Sequence, residues 1–234
     1  MFVEGANDVE FLVRLARILH RDGAIDFDLD RFVASNQLIV VPIGGGILSD
    51  WWNRLAPLGC HELHLYDGEL EPETSWRRTL VQKINSRPNC QAHLLEKRSL
   101  ENYLHPAAIR AASGGKVEFG DHDCVPDVVV RSWFTTAQGS TPWCELNGRT
   151  QRRLRYRAKR WLNTQVVDQM TSQWLAARDC QEELHHWLSK VFTYARRWRH
   201  GTRSNWTIEP EYVSQLRPTF VNCKASQDQG LFLA

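Results

Sequence analysis

The opening stretch MFVEGANDVEFLVRLARIL (residues 1–19) passes from three apolar residues through Glu4 and Gly5 into a helical repeat. Residues 1–4 read as a short strand. Residues 7–21 read as an amphipathic helix, with Val9, Leu12, Val13, Ala16 and Leu19 on one face. Asn7 is the expected N-cap, and Asp8 falls four residues after Glu4. A carboxylate at the carboxyl end of a first strand is either a turn residue or one part of a metal site that later strands complete.

The rest of the first hundred residues repeats this alternation. QLIVVPIGGG (37–46) is a near-continuous apolar run ending in glycines, as in a strand buried on both faces. Its glycines suit either a tight turn or a phosphate nest. Residues 48–57 read as a short helix, and CHELHLYDGEL (60–70) as a third strand with Leu63 and Leu65 on one face. A helix over about 74–86 precedes a fourth strand, QAHLLEKRS (91–99). Strands alternating with helices predict an α/β fold, a parallel sheet flanked by helices. Beyond residue 105 the pattern changes. GGKVEFGDHDCVPD (114–127) reads as loop with one short strand, and 150–198 as mainly helical, anchored by Trp161, Leu162, Trp174, Leu175, Leu184, Trp187, Leu188 and Phe192. The expected organisation is therefore a domain over 1–105 and a mainly helical region with basic stretches over 106–234. The last thirty-odd residues carry no clear period.

The 234 residues, 42% hydrophobic and 24% charged, describe an ordinary globular chain. No apolar run is long enough to span a membrane and no signal peptide is visible, so a cytoplasmic protein is expected. The six cysteines (60, 90, 124, 144, 180 and 223) are scattered without a CxxC pair and are expected as reduced thiols. A zinc site from His122, Cys124 and Cys144 follows no common spacing. The net charge of +2 divides into −4 over residues 1–105 and +6 over 106–234. That division suits divalent cations in the first part and a polyanion on the second.

Ligands of parallel α/β sheets collect at the carboxyl ends of the strands. Three groups of acids fall there: Glu4 with Asp8, then Asp67 with Glu69, then Glu101 in EKRSLENYL (96–104). Each has a plain reading of its own. Glu4 can be a turn residue, Asp8 a first-turn acid favoured by the helix dipole, DGE a turn, and Glu101 a partner of Lys97 or Arg98. Their order along the chain, separated by helices, is far more specific than any member. Converging acids need cations between them, and oxygen ligands of this kind suit Mg²⁺ or Mn²⁺.

In that joint pattern the chain resembles the TOPRIM domain, the metal-binding module of topoisomerases, bacterial primases and several nucleases. VEGANDVEFL and LHLYDGE carry the likeness. More closely, VVPIGGG, HLYDGE, KRSLENYLHP, the Val-Pro at 125–126, KRWLN (159–163) and DQMT (168–171) resemble the TOPRIM portion of ATP-dependent endonucleases of the overcoming-lysogenisation-defect (OLD) type. The likeness runs from residue 1 to about 190 and leaves 193–234 without a counterpart. The chain departs from that family twice. Nothing fits the GxxxxGK[ST] phosphate loop of an ATPase, so no ATP site is expected in it. Gly68 stands where the family often has Arg, which removes a cation beside the acids.

The resemblance implies a nuclease using two ions, which stabilise the attacking and leaving oxygens of a phosphodiester. Glu4, Asp67 and Glu69 form the expected core, Asp8 and Glu101 complete the second ion, and Glu4 is the expected general base. A cation for the transition state is expected from Lys97, Arg98 or, by resemblance, Lys159. RTQRRLRYRAKR (149–160) holds seven Lys/Arg around Tyr156, and RRWRHGTR (196–203) interleaves Trp198 with four arginines and a histidine. Arg152, Arg153, Arg155, Arg157 and Arg160, with Lys97 and Arg98, are the candidate nucleic-acid contacts; the alternative is a solvated helix face. The expected partners are DNA, or RNA, and an ATPase subunit or domain. The competing expectation is a non-catalytic interaction module of such an assembly, weakened at Gly68. A primase or topoisomerase is disfavoured, since no zinc-binding or tyrosine domain is legible. Trp161, Trp174 and Trp187 follow helical spacing and are expected in the core.

Overall fold

In the computed structural model, which describes residues 1–44, 48–136 and 142–200, four parallel strands form one sheet in the order β2-β1-β3-β4. These are β1 (Phe2–Val3), β2 (Val41–Pro42), β3 (Glu62–Tyr66) and β4 (Cys90–Leu94). Phe2 is in register with Val41 on one side and His64 on the other, and β3 pairs with β4 from Glu62↔Cys90 to Tyr66↔Leu94. β3 is buried throughout, and its alternation explains how both faces are filled. Leu63 and Leu65 join Met1 and Val3 in one core cluster, while Tyr66 joins Phe2 in another.

Helices complete the layers. α1 (Ala6–Arg21) buries Phe11, Leu12, Leu15, Ala16 and Leu19 against the first face. α4 (Glu73–Asn85) sets Leu80 and Ile84 against the second, together with Leu48 of α3 (Leu48–Trp51). α2 (Leu29–Ala34) lies between α1 and β2 in the chain. After β4 come α5 (Pro106–Ser113), α6 (Val125–Thr136), α7 (Gly148–Trp161), α8 (Ser172–Arg178) and α9 (Glu183–His200). Ile109, Val129, Ala158, Leu175, Trp187 and Leu188 of these helices belong to the same cluster as α1. One compact unit therefore runs from Met1 to Arg199, across the boundary expected at 105/106. Trp187 is buried, and Trp161 and Trp174 pack against the core.

Several boundaries differ from the sequence reading. The N-cap of α1 is Gly5, not Asn7, and Asp8 caps from within, its Oδ2 accepting from the Gly5 N–H at 2.7 Å. The apolar run 38–43 supplies only two ladder residues. Residues 48–57 hold α3, and a separate 3₁₀ turn covers Ala56–Leu58. No strand forms over 116–119; Val117 and Phe119 are buried by the core without a ladder. Among the described residues no helix is long and apolar enough to cross a membrane, and Cys60, Cys90, Cys124, Cys144 and Cys180 are free thiols. Gly45, Gly46, Cys223 and residues 201–203 of the second basic stretch lie outside the described residues.

Candidate functional site

The chain leaves β1 for β2 on one side and returns to β3 on the other, so the switch in strand order lies between β1 and β3. Crevices for ligands form at such a point. Glu4 follows β1, Asp67 follows β3, and the Asp67 N–H donates to Glu4 Oε1 at 2.8 Å. The guanidinium of Arg77 then closes a fork on Glu4, Nη1 to Oε1 and Nη2 to Oε2 (3.1 Å), while Nη1 also donates to the Asp67 carbonyl at 2.9 Å. Burial draws the Arg77 pKa down to about 10, which leaves it charged at neutral pH. A carboxylate held on both oxygens by a buried cation is neither an open metal ligand nor a free base, and this corrects the role expected of Glu4.

The other acids meet one turn away. The ammonium of Lys159 lies 3.2 Å from Asp8 Oδ1, 3.6 Å from Glu101 Oε1 and 4.0 Å from Asp67 Oδ2. All three acids are buried, whereas the Lys159 side chain keeps 30% exposure. Asp8 arrives on the first turn of α1. Glu101 arrives on a 3₁₀ turn, Leu100–Tyr103, whose neighbours each have a task. Asn102 donates to the carbonyls of Gly120 (2.8 Å) and Asp123 (3.1 Å), Tyr103 donates to Glu183, and His105 caps α5 ahead of Pro106. Lys159 arrives at the end of α7, where the helix widens into a π turn over Leu162–Val166. Such turns are common beside functional sites. One turn after Lys159, the Asn163 amide donates to Glu101 Oε1 (2.5 Å) and to the Lys159 carbonyl (2.7 Å).

Burial and charge drive the titration of these groups apart. Asp67 is raised well above the ordinary carboxylate range by burial, with Asp8, Glu101 and Glu69 adding to it and Lys159 opposing. Asp8 is raised by burial and Glu101, against Lys159 and the Gly5 N–H. Glu101 is lowered: burial opposes, but Lys159 and hydrogen bonds from Ser99 and Asn163 hold it ionised. Lys159 is raised well above the ordinary lysine value because Glu101, Asp67 and Asp8 together outweigh its burial. Neighbouring titratable groups pushed in opposite directions are the arrangement that acid–base chemistry uses.

The remaining expected residues sit around this cluster. Glu69, with φ of 49°, lies on the rim 3.4 Å from Arg98 Nε. Lys97 is paired with Asp121 and lies over the Tyr103 ring, so it is not open to a phosphate. Gly68 has no room for any side chain, because a Cβ there would stand 2.4 Å from the carbonyl oxygens of both Leu95 and Lys97. The absence of Arg at 68 is thus a requirement of this backbone approach. A cleft of about 520 Å³ opens beside it, lined by Glu69, Leu70, Arg78, Leu94 and His122 among others. On α7, Arg152, Arg153, Arg157 and Arg160 are exposed, while Arg155 is paired with Asp127 and lies over Trp143. Arg196, within the second basic stretch, lies over Phe192.

Two residues escaped the sequence reading. Arg77 occupies an apolar position of α4, three and seven residues before Leu80 and Ile84, and a charge in that register signals a buried partner. Asn163 closes the KRWLN stretch that carries part of the resemblance, but the sequence assigned it no role.

By type, Asp8, Asp67, Glu101 and the Asn163 amide oxygen are the hard oxygen donors that Mg²⁺ or Mn²⁺ takes. The Asn163 Oδ1 atom is buried without a hydrogen bond, and Asp8 Oδ1 faces the Lys159 ammonium at 3.2 Å. Yet the centre is filled by the Lys159 ammonium, and among the described residues no three His, Cys, Asp or Glu side chains are disposed to ligate one ion. Comparisons of the chain with protein-family models, with curated proteins and with solved structures find no match.

Proposed function

We infer that this protein is a divalent-metal-dependent nuclease hydrolysing phosphodiesters of DNA or RNA, in concert with an ATPase partner or domain. The observation that carries the reading is the convergence of Asp8, Asp67 and Glu101, from three separate elements, on Lys159 at the switch point of the sheet. With the Lys159 ammonium withdrawn from the centre it now fills, Asp8, Asp67, Glu101 and Asn163 would be the residues to hold the cation, which would supply charge for the phosphoryl oxygens and a more acidic water. Lys159, tethered at the end of α7 and open on one side, turns its ammonium from the acids to a phosphate oxygen and offsets the charge that develops there. Arg77 holds Glu4, and through it the Asp67 backbone, in place.

One assay tests the reading. The chain is incubated with supercoiled plasmid and with single-stranded DNA or RNA, in Mg²⁺ or Mn²⁺, with and without an added candidate ATPase partner. Cleavage that EDTA abolishes is expected, with a loss of at least about a hundredfold in Asp67→Ala and Asp8→Ala. Undiminished cleavage in those variants overturns the assignment. The second reading, an interaction module without catalysis, draws on the Arg77 fork, which occupies Glu4, and on Lys159, which occupies the centre of the acid cluster. It expects no cleavage under any of these conditions, and Asp67→Ala that leaves assembly with the ATPase intact.

A further inference from the structure

α7 carries more than Lys159. Counting back from it, Tyr156 and Arg152 stand three and seven residues earlier, so the three span only about 60° of the helix circumference. They form a continuous row that ends at the acid cluster. Tyr156 is 62% exposed, the ring standing in solvent with no partner among the described residues. Arg152 is exposed, and Arg149, Arg153 and Arg160 flank the row on its outer side, none of them paired with an acid among the described residues. The helix GRTQRRLRYRAKRW holds seven cations and no acid at all. An aromatic face left in water inside such a row is out of keeping with a merely solvated helix face, which would carry polar side chains or acids there.

We propose that this row, Arg152–Tyr156–Lys159, is the seat of a single nucleic-acid strand, with Tyr156 stacking on an unpaired base. The proposal rests on the nuclease reading and names its substrate: single-stranded DNA or RNA, or a duplex opened at the cut. Cations alone would serve either form, because they follow phosphates. In a duplex the faces of the bases are already covered by their neighbours, so a tyrosine ring gains nothing from it. A base splayed out of the stack presents its whole face to the ring. Tyr156 lies about 4.5 Å along the helix axis from Lys159. The base stacked on it therefore belongs to the nucleotide at, or next to, the phosphate that Lys159 faces. Arg152, one turn further on, holds the following phosphate.

The test is binding of the full chain, in EDTA, to labelled oligo-dT, oligo-U and a mixed-sequence duplex of equal length, read by fluorescence anisotropy over a series of salt concentrations. Both single strands are expected to bind more tightly than the duplex. Tyr156→Ala weakens single-strand binding about tenfold and leaves duplex binding unchanged, while Tyr156→Phe, which keeps the ring, restores it. Arg152→Ala weakens all three probes and lowers the salt slope by about one. A preference for oligo-dT over oligo-U, or the reverse, distinguishes the natural source of the strand. Equal affinity for duplex and single strand, Tyr156→Ala binding as the parent does, or no binding at all overturns the proposal. Because binding is read in EDTA it does not depend on cleavage, so strands that bind here yet stay uncut in the Mg²⁺ or Mn²⁺ assay count against the nuclease reading and leave this seat intact.

Discussion

At the scale of single residues, Lys159 is the counterweight of the site. Three buried carboxylates face one ammonium, and each acid is stable in its ionised form only as far as that charge reaches. Replacing Lys159 by Met keeps the aliphatic stem packed and removes the charge. The acids are then left in low dielectric with no opposing charge, held only by the Gly5 N–H, Ser99 and Asn163, and breaking a buried ionic group in this way costs about 3 kcal/mol or more. Urea unfolding of Lys159→Met at neutral pH should show that loss, with the slope unchanged. The loss should shrink toward acid pH. Asp8 and Asp67 have raised values in the fold, so the folded state binds protons that the unfolded chain takes up only near the ordinary carboxylate value. Their charged forms therefore cost stability above the raised values, and protonation removes that cost. Mn²⁺ should also stabilise Lys159→Met more than the parent, since the ammonium no longer competes for the same oxygens. A variant as stable as the parent, with no added response to Mn²⁺, would mean that the acids are not held by this lysine.

At the scale of elements, the site depends on a clamp between β1, β3 and α4. Arg77 grips Glu4 with both nitrogens and bonds the Asp67 carbonyl, so it joins the ends of two neighbouring strands to the helix that covers them. Glu4→Gln strands a buried guanidinium and should cost about 3 kcal/mol. Adding Arg77→Met should recover most of that cost, because no buried guanidinium is then left uncompensated and the amide at position 4 can still accept from the Asp67 N–H. A double-mutant cycle from urea unfolding measures the coupling, and additive losses would show that the fork contributes nothing to stability. This clamp also marks the limit of what the sequence could tell. The order strand, acid, helix was legible because α1 keeps a helical period and β3 a buried run, and so was the edge on which Asp8, Asp67 and Glu101 meet. The state of Glu4 was not, because its partner is a charge placed among the apolar positions of α4, far along the chain. The alternation Lys116-Val117-Glu118-Phe119 reads as a strand, yet its apolar members find the core without a ladder, and Asn102 fixes the Gly120–Asp123 turn that follows. Period two shows which side chains turn inward, not whether a neighbouring strand is present.

At the scale of the whole unit, both faces of the sheet bury groups that must stay protonated. Tyr66 lies on the α4 face, its pKa raised by burial and then by Glu62. Tyr103 lies on the α1 face, raised by burial and by its hydrogen bond to Glu183. Lys159 is raised by the acids around it. All three have the same sign: each holds its proton more tightly folded than unfolded. Their contribution to stability is complete below the ordinary values of 10.0 for tyrosine and 10.5 for lysine, and is lost as pH rises beyond them. Each group contributes a slope of about 1.4 kcal/mol per pH unit once its unfolded value is passed, so the three together give about 4, of which Arg77, lowered to about 10 in the fold, offsets about 1.4. Thermal melts should hold steady to about pH 9 and then fall steeply, with the tyrosinate absorbance of Tyr66 and Tyr103 appearing only as the fold is lost. Tyr66→Phe and Tyr103→Phe should each flatten that fall by about 1.4 kcal/mol per pH unit, though they act on opposite faces of the sheet, because their proton is shed into one shared unfolded state. If either tyrosine ionises while the chain is still folded, its hydroxyl reaches water. The cluster on that face is then looser than its packing implies.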